Sequence, residues 1–115
     1  MSPTVLVVEE YADLCSAIAA TLARREYSCE TAPTAEAAIG MLQDHQYEAI
    51  LLAPRLPIRS DPVMHFLHEH QPEEIQKVII MTSPELDEGE NDDPDDCRTL
   101  LKPFNNEQLF ATLRR

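Results

Sequence analysis

Three short apolar runs constrain this chain more than any other feature: TVLVV at residues 4–8, AILLA at 49–53 and KVIIM at 77–81. None alternates apolar with polar residues, so none suits a sheet with one face in water. Each reads as a strand covered on both faces, the pattern of a parallel sheet between layers of helix. The intervening segments have helical spacing. Leu14, Ile18 and Leu22 recur every four residues with Ala19 and Ala23 beside them, predicting an amphipathic helix over residues 12–25. A short strand is expected over 27–31. Thr34 can then cap a second helix whose inward stripe is Ala35, Ala38, Ile39 and Leu42. Residues 62–70 form a third helix, with Pro62 suited to its first turn and Pro72 beyond its end. After KVIIM come an irregular acidic stretch, a fifth strand over 98–101, and a last helix capped by Asn105 that buries Leu109 and Leu113. Strands alternating with helices on short connections define an α/β protein with a parallel sheet and right-handed crossovers. Any site then lies at the carboxyl ends of the strands.

The 115 residues suit one domain, 1–115, able to bury a core without disulfide or metal staples. The hydrophobic share is 43%, and no apolar run approaches the roughly 18 residues a membrane span requires. The start, MSPTVLVVEE, lacks a basic n-region and a long enough apolar core for a signal peptide. Cys15, Cys29 and Cys97 are odd in number and widely spaced, which fits reduced thiols in a cytoplasm. Cys29 is open to two readings, core packing or a reactive thiol. With 9 basic against 21 acidic residues the formal net charge is −12, which repels phosphate backbones and anionic lipid. Direct nucleic-acid or membrane binding is therefore disfavoured, whereas a partner with a basic face would be attracted.

The residues at the strand ends turn the fold into a chemical question. Glu9 and Glu10 follow the first strand, Ala53 ends the third, Thr82 and Ser83 close the fourth, and Lys102 with Pro103 follows the fifth. Paired carboxylates bind hard cations such as Mg²⁺, while a hydroxyl and an ammonium donate hydrogen bonds to a phosphoryl group. The set VLVVEE, IIMTS and LLKPF, in this order and spacing, resembles the receiver domain of bacterial two-component response regulators over essentially the whole chain. The resemblance implies a doubly wound five-stranded parallel sheet in the order 2-1-3-4-5. It also implies Mg²⁺ held by Glu9, Glu10 and the backbone carbonyl of Arg55, phosphoryl contacts from Thr82 and Lys102, a loop proline at Pro57 and a cis Lys102–Pro103 peptide.

The departures from that pattern carry as much information. Ala53 stands at the phosphoacceptor position, and a methyl group offers neither a nucleophilic oxygen nor a metal ligand. Thr99 stands where the family usually carries a switch Tyr or Phe, and Asp61 where it has a loop glycine. No catalytic residue is therefore expected, and no cofactor beyond a weak Mg²⁺ site. Glu9 and Glu10 are either relics or that weak site, and Lys102 is expected to form an ion pair with one of them. Restoring Asp at position 53 should return metal affinity if the glutamates still converge, without restoring the switch.

The stretch PELDEGENDDPDD falls where a receiver's fourth helix would lie, so that helix is expected to be degenerate or disordered. It carries Glu85, Asp87, Glu88, Glu90, Asp92, Asp93, Asp95 and Asp96 but almost no apolar stripe. Like charges at i,i+4, Gly89 and Pro94 all oppose helix. A solvated loop and an acidic docking surface are the two readings; a calcium loop lacks its D-x-D-x-D-G pattern. His65, His68 and His70 could meet a metal but lack supporting carboxylates, and read better as surface residues.

Three functions compete. The first is a non-enzymatic pseudo-receiver that signals through protein–protein contact independently of phosphorylation, with a basic partner or a second copy on the face of the fourth helix, fifth strand and last helix. The second keeps phosphorelay chemistry but moves the acceptor to Asp61 or Glu10. The third, an enzyme or flavin carrier, would need a phosphate loop where this chain has EEYAD.

Overall fold

A computed structural model of the chain describes residues 3–54, 60–82 and 97–114. In chain order the elements are β1 (Thr4–Val8), α1 (Ala12–Ala23), β2 (Ser28–Ala32), α2 (Ala35–Asp44), β3 (Ala49–Leu52), α3 (Pro62–His70), a 3₁₀ turn (Pro72–Lys77), β4 (Val78–Thr82), β5 (Arg98–Leu101) and α4 (Asn106–Leu113). The strands form one sheet in the order β2-β1-β3-β4-β5, and every neighbouring pair is parallel.

Alternation along the central strands divides the core in two. Leu6, Val8, Ile50, Leu52, Val78 and Ile80 face Ala38 and Leu42 of α2 and Val63, Met64 and Leu67 of α3. Their neighbours Val5, Val7, Ala49, Leu51, Ile79 and Met81 face Ile18 and Leu22 of α1 and Leu109 and Phe110 of α4. Both faces of β1, β3 and β4 are thus dry, which is why their sequences show no polar alternation. Burying a Leu or Ile side chain contributes about 1.5–3 kcal/mol, so these two clusters carry most of the stability.

Several boundaries differ from the expected ones. Helix α1 stops at Ala23 rather than Arg25, because Glu26 adopts a left-handed φ of 66°. The Glu26 N–H bonds the Ala23 carbonyl at 3.2 Å and the Tyr27 N–H bonds Leu22 at 3.1 Å, a helix stop usually made with glycine. Tyr27 therefore lies outside β2 and packs against the Phe110 ring, with centroids 6.1 Å apart. Strand β4 begins at Val78 because Lys77 closes the 3₁₀ turn and pairs with Glu74 at 3.0 Å. Ala53 falls one residue beyond the β3 ladder, although its N–H still reaches the Val8 carbonyl at 2.9 Å. In α2, Ala35 and Ile39 are only half-buried. In α4, Phe110 takes the deep position expected for Leu113, which is half-buried. Thr34 and Asn105 cap α2 and α4 as expected, Asn105 through a reciprocal pair with Gln108. The expectation about the fourth-helix segment, residues 84–96, lies outside the described residues. Among those described, no helix is long and apolar enough to cross a membrane.

Candidate functional site

The carboxyl ends of β1, β3 and β4 and the residue after β5 surround an open pocket of about 710 Å³, lined among others by Glu9, Glu10, Ala53, Asp61, Thr82 and Lys102. Parallel strands in register place them there. Val8 pairs with Leu52, so the residues after each, Glu9 and Ala53, emerge side by side. Thr82 pairs with Leu101, and the next residue, Lys102, donates its N–H to the Thr82 carbonyl at 2.6 Å. The Lys102–Pro103 peptide is cis.

The central contact is an ion pair. Lys102 Nζ lies 2.9 Å from Glu9 Oε1; the Glu9 side chain is 2% exposed and that of Lys102 27%. The other Glu9 oxygen accepts the Tyr11 N–H at 3.3 Å, and the Glu9 carbonyl accepts the Cys15 thiol at 3.2 Å. Both carboxylate oxygens thus have donors. The expected pairing of Lys102 with one of the two glutamates is present, and the partner is Glu9. Glu10 is exposed at the rim. Burial, and then the nearby Glu9 charge, pushes the Cys15 thiol up from its ordinary value, so Cys15 is a neutral packing group at pH 7.

Among the described residues the donors left for a divalent cation are few. Ala53 supplies no side-chain ligand, Glu9 is paired with an ammonium, and Glu10 is exposed at the rim. Among the described residues no three His, Cys, Asp or Glu side chains gather as metal ligands. On α3, His65 pairs with Glu69 at 3.0 Å on an exposed face, and His70 packs on Phe66 with centroids 5.1 Å apart. Arg55, Pro57 and Ser83 lie outside the described residues, as do Glu85, Asp87, Glu88, Glu90, Asp92, Asp93, Asp95 and Asp96.

Asp61 has a structural task. It is 2% exposed and its Oδ1 accepts the N–H groups of Val63 at 2.9 Å and Met64 at 3.2 Å, capping α3. Its carboxylate is thus engaged at the helix start rather than presented as a free nucleophile. Thr99 lies on β5 beside Ile80 and is exposed, away from the pocket lining. Cys29 is half-buried, its thiol pushed up to about 11 by burial, then by Cys15 and Glu30, which favours the packing reading.

Sequence reasoning left two roles unassigned. Asp61 next to Pro62 carries the signature of a cap before a first-turn proline, a signal that was available. Tyr11, 65% exposed at the pocket rim, supplies a backbone donor to Glu9 that no side-chain pattern could announce.

A five-stranded parallel sheet in the order 2-1-3-4-5, with this constellation at its carboxyl edge, has the architecture of response-regulator receiver domains. No family model and no curated protein matches the sequence. Solved structures do. The chain is similar to the chemotaxis protein CheY4 of Vibrio cholerae, with 25% identity and a TM-score of 0.79 over 100% of this chain and 98% of that one. It is similar in fold to the receiver domain of the Pseudomonas aeruginosa sensor histidine kinase PA1611, at 22% identity and a TM-score of 0.82 over 100% and 97% of the two chains. That domain holds a magnesium ion in its active-site cleft. A receiver protein from Sinorhizobium medicae matches at 21% identity and a TM-score of 0.76, over 98% and 92%.

Proposed function

We propose that this chain is a receiver-fold signalling module of the two-component type that acts by protein–protein contact, without phosphoryl transfer and without enzymatic activity of its own. The observation that carries the reading is the pairing of Lys102 with Glu9 at 2.9 Å beside Ala53. A receiver pocket needs a carboxylate nucleophile, a free metal-binding acid and an ammonium available for the phosphoryl group. Here the first is a methyl group and the other two neutralise each other. The PA1611 receiver binds magnesium in the corresponding cleft; in this chain Mg²⁺ binding is weak or lost, because the ion must compete with a tethered ammonium for Glu9.

The partner is a signalling protein with a basic face. A net charge of −12 and the eight acids between Glu85 and Asp96 favour it, and its affinity should fall as salt rises. The same charge disfavours nucleic acid and anionic membrane, and three widely spaced cysteines without a disulfide support a cytoplasmic reading. A homodimer through the β5 and α4 face remains compatible with Leu101 being 49% exposed there.

Incubating the full chain with acetyl phosphate and Mg²⁺, then measuring intact mass at neutral pH, tests the reading. An unchanged mass is expected. A stoichiometric phosphoryl adduct would overturn it, and peptide mapping of that adduct to Glu10 or Asp61 would establish the displaced-acceptor alternative instead.

A further inference from the structure

We propose that the pocket at the carboxyl edge of the sheet binds an organic cation, a guanidinium or ammonium group on an apolar stem. This rests on the reading that the pocket takes no phosphoryl group, and it names what the same space holds instead. At about 710 Å³ the pocket falls among small-ligand sites, which span about 300–1,000 Å³. Ala53 contributes only a methyl group to its lining, and Pro33, Ala35 and Pro54, all at least partly exposed, add further apolar wall. Such a wall accepts a hydrocarbon stem.

Charge decides the sign of the ligand. Among the described residues the charged side chains lining the pocket are Glu9, Glu10 and Asp61 against Lys102. The Lys102 ammonium lies 2.9 Å from Glu9 Oε1, so little of its charge is left for an anion. Asp61 faces the N–H groups that open α3. The unbalanced carboxylate is therefore that of Glu10, which is exposed and makes no hydrogen bond or ion pair among the described residues.

The next residue supplies the second group a cation needs. Tyr11 lines the same pocket and is 65% exposed, with only its backbone N–H engaged, toward Glu9 at 3.3 Å. An aromatic face attracts a cation through its quadrupole, and a carboxylate accepts its N–H groups. A hard metal ion requires more oxygen ligands than Glu10 and the paired Glu9 offer. An anion would meet both glutamates, and a neutral ligand gains nothing from the carboxylate or the ring quadrupole.

The experiment is a ¹⁵N NMR titration of the full chain with n-butylguanidinium chloride, with n-butylurea as the neutral isostere. Saturable shifts at Glu9, Glu10, Tyr11, Ala53 and Lys102 are expected with the cation and not with the urea, weakening as salt rises. Glu10→Gln should bind the cation about threefold more weakly, and Glu10→Gln with Tyr11→Leu about tenfold. Both positions are exposed and Leu keeps the backbone donor to Glu9, so the variants should retain the parent melting temperature. A parallel titration with a blocked Gly-Arg-Gly peptide separates the sources. Tighter binding of the peptide assigns the cation to a partner's side chain, tighter binding of butylguanidinium to a free small molecule, and either sustains the proposal. No saturable shift with either cation, equal binding of butylurea, or unchanged affinity in the double variant would overturn it. An unchanged mass in acetyl phosphate together with no cation shifts sinks this inference alone, whereas a phosphoryl adduct sinks the reading beneath it.

Discussion

Replacing Lys102 by methionine removes the cation from Glu9 while keeping most of the side-chain stem. The Glu9 carboxylate is left 2% exposed, with the Tyr11 N–H at 3.3 Å as its remaining donor among the contacts described. Breaking a fully buried pair from one side costs about 3–5 kcal/mol. The Lys102 side chain is 27% exposed at an open pocket, so water reaches part of the site, and the lower end, about 3 kcal/mol, is expected. For a domain of this size each kcal/mol moves the midpoint by about 4 °C, giving a fall in Tm of about 12 °C. Glu9→Met alone strands the ammonium, but lysine can swing to solvent, so about 1 kcal/mol is expected there. In the double variant the uncompensated charge is gone, and stability should return to within about 1 kcal/mol of the parent. Urea denaturation of the four proteins closes the cycle. A Lys102→Met cost below about 0.5 kcal/mol, or a double variant equal to the sum of the singles, would refute the claim that this pair organises the pocket.

Asp61→Ala removes the acceptor of two N–H groups at the start of α3 and should cost about 1–2 kcal/mol by chemical denaturation, with Asp61→Asn recovering much of it. Glu26→Gly relieves a φ of 66° and should raise stability by about 0.5–1 kcal/mol, a sign opposite to that of most exposed glycine substitutions. The half-buried Cys29 thiol, pushed up to about 11 from an ordinary 9.0, should alkylate slowly at pH 7.5 and accelerate only toward pH 11. Because its folded value is raised, its contribution to stability is complete below pH 9 and disappears as pH rises through about 11. Alkaline melts should therefore show less of this loss in Cys29→Ala.

The sheet was legible because β1, β3 and β4 are dry on both faces and announce it with unbroken apolar runs. The helix faces followed from four-residue spacing in α1 and α2. What escaped lacked such a period. The turn at Glu26 uses a left-handed glutamate where a glycine would have signalled the stop, so Tyr27 was read into the strand. The 3₁₀ turn at Pro72–Lys77 is polar in sequence, and only tertiary packing buries Glu74. At the site, charge logic anticipated the Lys102 pair, since an ammonium deprived of its usual carboxylate seeks another. It could not choose between Glu9 and Glu10, because that depends on which residue the β1 register turns inward. Asp61 was compared with a missing glycine when its adjacency to Pro62 already marked it as a cap.

The central claim is that the pocket of this receiver fold no longer responds to the ion and the phosphoryl group. A ¹⁵N NMR titration with Mg²⁺ followed by beryllofluoride, a phosphoryl mimic, measures that directly, with Ala53→Asp as the comparison. The account predicts no saturable shifts at Glu9, Ala53, Thr82 or Lys102 in the natural sequence, and a Mg²⁺ response returning only with the added carboxylate. Saturable millimolar Mg²⁺ shifts at Glu9 and Lys102 in the natural sequence, followed by a second response to beryllofluoride, would contradict it.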